Sequence, residues 1–320
     1  MSEKHGFDVV VVGGGVIGLS CAWRLAQRGA RVVVLERGEP GGGATRVAAG
    51  MLAPVGELTF GEPELLELTL AAARLYPEFV AELEAATGAS TGYERLGALH
   101  VALDRDEAAQ LRRVHDLQRS LELEAEWLPP RRCRDLEPGL TPSFHGGVLA
   151  AGEAAIDPRA LTQVLLAACA EEGVEVRTGT EVVDGIFEGE RLVGVRTASR
   201  RFATQEVANR RLDEEVRAET VLLAAGAWSG AVEWLPEEAR PPVRPVKGQV
   251  VELCSRDGEL GARHILASER VYLVPRADGR LVVGATVEEM GFDTAVTAGR
   301  STSCCARPTA CSPTSPRWSG

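Results

Sequence analysis

The first 36 residues of this 320-residue chain constrain its fold more than any other stretch. An apolar run, Phe7–Val12, leads directly into Gly13-Gly14-Gly15-Val16-Ile17-Gly18. A helical pattern and a second apolar run, Arg31–Leu35, follow before Glu36. The order predicts a strand, a glycine-rich turn, a helix and a second strand, with G-x-G-x-x-G spacing at the turn. Such turns also occur for purely structural reasons, but strand, helix and terminal acid here occur together, which favours dinucleotide binding.

Each glycine of the motif has its own predicted role. Gly13 permits the tight turn, Gly15 lets the backbone approach a pyrophosphate, and Gly18 lets the helix pack closely on the strand. The helix N-terminus offers free N–H groups to the phosphates, and Glu36 can accept hydrogen bonds from ribose hydroxyl groups. The chain is therefore predicted to bind a dinucleotide.

The charge of the chain narrows the classes of partner. A formal net charge of -11 argues against a nucleic-acid partner and against an anionic membrane surface. No segment has the length of a membrane span and the N-terminus lacks a signal-peptide pattern, so we expect a cytoplasmic protein. The cysteines and histidines show no metal-like or disulfide-like spacing, so we expect no metal site. The sequence leaves the oligomeric state open, and a homo-oligomer is one alternative.

The rest of the chain predicts an α/β protein. A long helix is predicted over Glu64 to Ala86, and a helix starting at Asp157 and Pro158. The charged stretch Ala198 to Arg217 is predicted as an exposed loop or a hairpin extension. Three late β-like runs without intervening helices predict an antiparallel sheet in a second domain, with a hairpin turn at Asp278-Gly279. A further helix is predicted over Glu107 to Leu121. The predicted strands are Glu94 to Leu103, Val174 to Val176, Glu181 to Val183, Leu192 to Arg196, Thr220 to Ser229, Lys247 to Cys254, Val271 to Val274 and Leu281 to Thr286.

Five further stretches carry a resemblance to a known family, and together with the first turn they cover about residues 7 to 298. They are Ala48–Pro54, Ala224–Ser229, Pro245–Gln249, Tyr272–Arg276 and Gly279–Thr286. In this order they resemble the amino-acid oxidases related to D-amino-acid oxidase, and most closely the glycine oxidases of thiamine biosynthesis.

The resemblance implies a fold, a cofactor and an activity. It implies a Rossmann-like FAD-binding domain formed by residues 1–88 and 152–240. A second α+β substrate domain, built on an antiparallel sheet, is formed by residues 89–151 and 241–299. The implied reaction oxidises the Cα–N bond of a small amine or amino acid by hydride transfer to the flavin, and O2 reoxidises the flavin to give hydrogen peroxide.

The resemblance also implies site residues. Val16 and Ile17 would lie at the pyrophosphate, Glu36 and Arg37 at the adenosine ribose, and the backbone of Val182 at the adenine. The residues that would border the flavin are Ala44, Thr45, Ala49, Gly50 and Met51.

Two further positions concern the substrate and the flavin phosphates. Tyr272 would face the substrate carboxylate, although a half-buried strand tyrosine is the alternative interpretation. Arg46 departs from the small or hydroxyl residue that the family pattern places beside the flavin phosphates.

Other functions remain as alternatives. A nicotinamide-dependent dehydrogenase would also use the first turn, but it should continue as βαβαβ in the first half of the chain, whereas this chain changes to a segment of small residues at Ala48. A non-oxidase flavin-binding subunit of an amino-acid dehydrogenase complex is a further alternative. Sarcosine or D-amino-acid oxidation would use the same fold with another substrate.

The character of the sequence changes at Arg300. Residues 300–320 lack periodicity and are rich in Cys, Ser and Pro, which predicts an aberrant or disordered tail. A shifted reading frame is the interpretation we favour, because GC-rich codons read from their third base can encode an amphipathic helix here. The resemblance places a carboxylate-binding arginine and a glycine-rich flavin-binding segment beyond this point, so the chain is expected to be an impaired oxidase.

Overall fold

The computed structural model describes residues 6–199, 214–255, 261–297 and 318–319. The chain divides into two compact units. Unit 1 consists of Met1–Ala48, Leu83–Ser90 and Pro158–Pro245, and unit 2 of Ala49–Glu82, Thr91–Asp157 and Val246–Gly320.

The helices and strands are numbered in chain order. The strands are β1 (Phe7–Val12), β2 (Val32–Leu35), β3 (Met51–Leu52), β4 (Ala98–Val101), β5 (Glu126–Leu128), β6 (Gly147–Ala150), β7 (Ala154–Ala155), β8 (Glu175–Arg177), β9 (Thr180–Glu188), β10 (Arg191–Ser199), β11 (Glu214–Leu223), β12 (Val251–Ser255), β13 (Ile265–Ala267), β14 (Tyr272–Pro275), β15 (Arg280–Gly284) and β16 (Trp318–Ser319). The α-helices are α1 (Val16–Ala26), α2 (Ala44–Val47), α3 (Pro63–Thr87), α4 (Arg105–Ser120), α5 (Pro130–Leu136) and α6 (Pro158–Glu171). Short 3-10 turns cover Gly226–Ala231 and Glu237–Ala239.

Unit 1 is built on a six-stranded sheet in the order β8-β2-β1-β11-β10-β9. β1 is parallel to β2 and β11, and β2 is parallel to β8, whereas β10 pairs antiparallel with β9 and β11. The Val-rich runs of β1 and β2 suit strands covered on both faces, and Val10, Val11 and Val33 have no exposed surface. α1 buries Leu19 and Trp23 completely. The predicted βαβ unit is therefore confirmed.

Unit 2 contains an eight-stranded sheet in the order β16-β12-β15-β14-β13-β4-β6-β5. All its pairs are antiparallel except β13 with β4, which is parallel. A separate two-stranded ladder joins β3 to β7. The predicted antiparallel sheet of late strands is present, with Asp278 and Gly279 between β14 and β15 as expected.

Several details differ from the sequence prediction. The predicted strand over Thr220 to Ser229 ends at Leu223, because a 3-10 turn begins at Gly226. The charged stretch after Ala198 is flanked by the paired strands β10 and β11, which corresponds to the hairpin alternative, although residues 200–213 lie outside the described residues. The two- and three-residue strands β3, β5, β7 and β13 were not predicted, since so few residues carry no periodicity.

The division into units 1 and 2 bears on two expectations about domain organisation. Residues 49–82, which the sequence grouped with the FAD-binding domain, belong to unit 2. Most of the predicted aberrant tail, 300–320, lies outside the described residues. Trp318 and Ser319 are the exception, because they form β16 and pair with β12.

The described residues contain no helix that combines the length and apolar character of a membrane span. Among the same residues, no group of three or more His, Cys, Asp or Glu side chains is arranged to hold a metal ion.

Candidate functional site

Two glycines of the first turn are required by the packing of unit 1 itself. Gly13 has a positive φ of 108°, and a side chain there would overlap the carbonyl oxygen of Ala224. A side chain at Gly18 would overlap the carbonyl oxygen of Gly13. These contacts account for both residues without any ligand.

Gly15 differs from the other two glycines. A Cβ atom at this position would meet only the Thr45 hydroxyl oxygen, at an ordinary 3.4 Å. Gly15 is the N-cap of α1 in extended conformation, and it supplies no side-chain hydrogen bond to the helix. The first turn of α1 carries no acidic residue, and Ile17 is 67% exposed. The N-terminus of α1 is thus accessible and suits an anion, so the residues present fit a dinucleotide pyrophosphate.

Glu36 has a structural role that the sequence did not indicate. Its carboxylate accepts hydrogen bonds from the backbone N–H groups of Gly14 and Gly38, each at 2.8 Å. It therefore ties the end of β2 to the first turn. A carboxylate has about four acceptor positions, so Glu36 keeps capacity for the predicted ribose hydroxyl groups.

The other predicted cofactor residues of unit 1 lie in three places. The Arg37 guanidinium lies 3.8 Å from the ring centre of Trp228. Ala44 and Thr45 are in the single turn α2, and the Thr45 hydroxyl accepts a hydrogen bond from the Val16 N–H at 3.2 Å. The sequence placed both Val16 and Thr45 at the cofactor, and the structure joins them directly. Val182 lies on β9 and packs against the cluster of buried side chains that contains Val12 and Leu35.

Unit 2 holds the predicted flavin-bordering residues Ala49, Gly50 and Met51. Gly50 has a positive φ of 72°, and its carbonyl oxygen accepts from the Ile156 N–H at 2.9 Å. Met51 lies in β3, opposite Ala155. The Ala49 carbonyl oxygen accepts a hydrogen bond from the buried guanidinium of Arg276.

Arg276 was quoted within a motif on sequence grounds but given no role. Burial lowers the pKa of its guanidinium from the ordinary value. A buried cation that binds a backbone carbonyl oxygen holds that stretch of chain in place. Arg276 therefore fixes the chain immediately before Gly50.

Tyr272, the predicted substrate residue, is half-buried on β14 and lies opposite Gly284 of β15. A side chain at Gly284 would overlap the phenol ring of Tyr272, so the ring lies over this glycine. Tyr272 packs against the buried cluster that includes Ala49, together with Met51. The structure thus brings the predicted substrate residue and two predicted flavin-bordering residues into one cluster of unit 2.

A cavity of about 260 Å³ lies in unit 2 beside Met51. One wall is formed by residues Met51–Pro54 and Glu57–Thr59 of a single stretch, which we call the wall segment (Met51–Thr59). Side chains of α3, among them Leu65, Leu66 and Tyr76, also line the cavity. Burial, with a smaller contribution from Tyr93, raises the pKa of Tyr76 to about 12, so its phenol is neutral at ordinary pH. The lining of the cavity is mostly apolar, which suits a small organic molecule.

Comparison with known proteins places these features in a wider context. A family model described as DAO, FAD dependent oxidoreductase, matches residues 8–316. The glycine oxidase of Geobacillus kaustophilus is 32% identical over 299 residues, which cover 92% of this chain and 74% of that protein. A crystal structure of glycine oxidase from the same organism superposes with a TM-score of 0.84 and 28% identity, covering 97% of this chain and 79% of the other.

Two further relatives carry different names. The bifunctional protein ThiO/ThiG of Trichormus variabilis is 35% identical over 287 residues, or 89% of this chain. The chain spans only 40% of that protein's length. Hydrogen cyanide synthase subunit HcnC of Pseudomonas aeruginosa is 29% identical over 321 residues, covering 90% of this chain and 73% of that protein.

Proposed function

Because the chain belongs to the DAO family of FAD-dependent oxidoreductases and uses FAD as its cofactor, we propose that it oxidises the Cα–N bond of glycine or another small amine or amino acid. In the proposed reaction the electrons reach O2 and yield hydrogen peroxide. The observation that carries the proposal is the likeness to a glycine oxidase structure over 97% of the chain. FAD supplies the electron acceptor that amino-acid side chains lack.

The chain's own residues would bind the cofactor in the following way. The open N-terminus of α1 at Gly15, Val16 and Ile17 would bind the pyrophosphate, because its N–H groups and helix dipole favour negative charge. Glu36 and Arg37 would bind the ribose. The remaining proposed contacts are Gly13, Gly18, Ala44, Thr45, Ala49, Gly50, Met51 and Val182.

The proposed substrate residue is Tyr272. Its hydroxyl group would donate a hydrogen bond to the substrate carboxylate. Its packing beside Ala49 and Met51 supports this role, because those two residues are proposed to border the flavin. The apolar surroundings would exclude water from the reacting Cα atom.

The purified full-length chain provides the test. We expect it to retain FAD and to release hydrogen peroxide with glycine, sarcosine or small D-amino acids, but more slowly than a chain in which the shifted reading frame after residue 300 is restored. FAD retention with no peroxide from any of these amines would contradict the oxidase proposal.

A second candidate is a flavin-binding subunit of an amine-oxidising complex. The similarity to a hydrogen cyanide synthase subunit favours it. The two candidates differ in the electron acceptor. Glycine-dependent reduction of an artificial dye without peroxide release would support the second candidate over the first.

Two finer parts of the proposal have separate tests. Use of the product in thiamine thiazole synthesis is proposed from the ThiO/ThiG relative, and growth of a thiamine-requiring strain would test it. The frameshift interpretation of residues 300–320 also stays a prediction, and the nucleotide sequence around codon 300 would test it.

A further inference from the structure

A cluster of polar side chains lies behind the wall segment, and the proposed function does not use it. Gln118 of α4 and Glu153, between β6 and β7, are 1% and 2% exposed. His100 of β4 completes the cluster. Polar side chains buried to this extent are costly unless they form hydrogen bonds. Their partners therefore indicate what the cluster is for.

The partners are backbone groups of the wall segment. Glu153 Oε1 accepts hydrogen bonds from the N–H groups of Val55, at 3.0 Å, and Gly56, at 2.5 Å. Gln118 Nε2 donates to the Val55 carbonyl oxygen at 2.8 Å. The segment between β3 and α3 has no strand partner at these residues, and buried backbone groups need partners. Two side chains distant in sequence supply them.

Three polar atoms of the cluster lack hydrogen-bond partners among the described residues. They are Gln118 Oε1, Glu153 Oε2 and His100 Nε2, and the last two lie beside Gly56. A side chain at Gly56 would overlap His100 Nε2 and would come within 2.9 Å of Glu153 Oε2. Both atoms therefore flank Gly56, where only a glycine fits.

The protonation states of this cluster follow from its burial. Burial raises the pKa of Glu153 to about 7, the charge of Glu57 adds to the effect, and the two backbone N–H groups oppose it. Burial lowers the pKa of His100 to about 4. Between these pH values the Glu153 carboxyl group is protonated and the His100 ring is neutral. The titratable groups facing Glu153 are thus His100 of β4 and Glu57 of the wall segment, with the neutral amide of Gln118 on the α4 side.

We propose that Glu153, assisted by Gln118, is a positioning residue that holds the wall segment in place and so fixes Met51 for its contact with the flavin. Glu153 touches neither cofactor nor substrate in this proposal. It acts through Val55 and Gly56, whose backbone it binds. The part concerning the flavin rests on the proposed function, whereas the part concerning the wall segment does not.

The test measures hydrogen exchange at the Val55 and Gly56 amides of the full chain, together with its affinity for FAD. In Glu153→Ala both amides lose their acceptor, so we expect exchange at least about tenfold faster and FAD affinity about tenfold weaker. In Glu153→Gln the amide oxygen can still accept both hydrogen bonds, so exchange at pH 6 should remain close to that of the unsubstituted chain.

Glu137→Ala is the matched control. Glu137 is equally buried in unit 2, and it accepts from the backbone N–H groups of Arg263 and His264 at 2.9 and 2.7 Å. Its substitution should speed exchange at those two amides and leave Val55 and Gly56 unchanged. Equal exchange at Val55 and Gly56 in Glu153→Ala and Glu137→Ala would overturn the proposal.

A pH series keeps the test decisive if Glu153→Ala does not fold. Opening of the wall segment exposes Glu153 to water and returns its pKa to the ordinary range. Opening should therefore become about twentyfold easier between pH 5.5 and 7.5 in the unsubstituted chain. Glu153→Gln should lack this dependence, and an identical pH profile in both would overturn the proposal.

The two readouts also separate this inference from the proposed function. Absence of FAD binding by the unsubstituted chain would contradict the proposed function, while the exchange measurements would still decide the role of Glu153 in the wall segment. Faster exchange in Glu153→Ala with unchanged FAD affinity would overturn the flavin part of the inference alone.

Discussion

The first turn of unit 1 and the wall segment of unit 2 are both irregular backbone, yet they are held in different ways. The first turn is fixed largely by residues close to it in sequence, since Gly18 allows a close contact with the Gly13 carbonyl oxygen that a side chain would prevent. The wall segment is fixed by Glu153 and Gln118, which are far away in the sequence. The comparison teaches that a local motif can be recognised from residue spacing, whereas a support contributed by distant residues cannot.

The largest expected effect separates the glycines of the first turn. Gly18→Val should destabilise the chain by at least about 4 kcal/mol, because the new side chain overlaps a backbone carbonyl group. The Cβ atom of Gly15→Val meets only a hydroxyl oxygen at an ordinary contact distance, so we expect a much smaller loss of stability than for Gly18→Val, while FAD retention is lost. Denaturant unfolding and the flavin absorbance of the purified proteins measure the two effects. A Gly15→Val protein that keeps its full flavin content would contradict the pyrophosphate assignment.

The next effect concerns pH and tests the wall segment. The pKa of Glu153 is raised to about 7 in the folded chain, so the folded state binds this proton more tightly than the unfolded state. The resulting stabilisation is complete below about pH 4.5 and is lost as the pH rises to about 7. The loss should amount to roughly 3 kcal/mol, the free-energy equivalent of the shift. Unfolding free energies at a series of pH values should show it in the unsubstituted chain, and a Glu153→Gln protein with the same slope would contradict the explanation.

A smaller effect is expected at Tyr272. Tyr272→Phe removes one hydroxyl group while keeping the ring that lies over Gly284, so the packing of the ring should be kept. If the hydroxyl binds the substrate carboxylate, affinity for the substrate should fall by roughly 1.5–3 kcal/mol, the range for a hydrogen bond to a charged group. Titration of the flavin absorbance with a non-reacting carboxylate would measure this loss. Unchanged affinity would remove Tyr272 from the substrate site.

The smallest effect is expected at Arg276. Arg276→Met keeps the bulk of the side chain but leaves the Ala49 carbonyl oxygen without its partner, at a cost of about 1–3 kcal/mol. Loss of a buried cation, whose pKa burial already lowers, offsets part of that cost. The net change in unfolding free energy should therefore lie toward the low end of the range. A loss above this range would show that Arg276 has additional partners.

Sequence reasoning succeeded where the determinants are local. The helical spacing of Leu65, Leu66 and Phe79 predicted α3 to within one residue at each end, and the βαβ unit followed from Phe7–Glu36. It did not find Glu153, because a lone acid between two short strands carries no signal of its contact with Val55. It also gave Glu36 a ligand-binding role only, since its hydrogen bonds to Gly14 and Gly38 depend on the path of the turn. Residues that bind the backbone of a segment distant in sequence can be identified only from the folded structure.

The strand order of unit 1 has a consequence for how the chain folds during synthesis. β1 lies in the middle of its sheet, but one of its two neighbours is β11, where Val9 lies opposite Thr220. The hydrophobic run of β1 is synthesised well before β11, so this edge of β1 stays unpaired until β11 has left the ribosome. Such long-range parallel pairing forms slowly and leaves an unpaired, aggregation-prone strand edge exposed meanwhile. In unit 2, β4 meets its antiparallel partner β6 much sooner, whereas its parallel partner β13 also lies far along the chain. Nascent chains should therefore complete the β4–β6 pairing before either long-range parallel pairing.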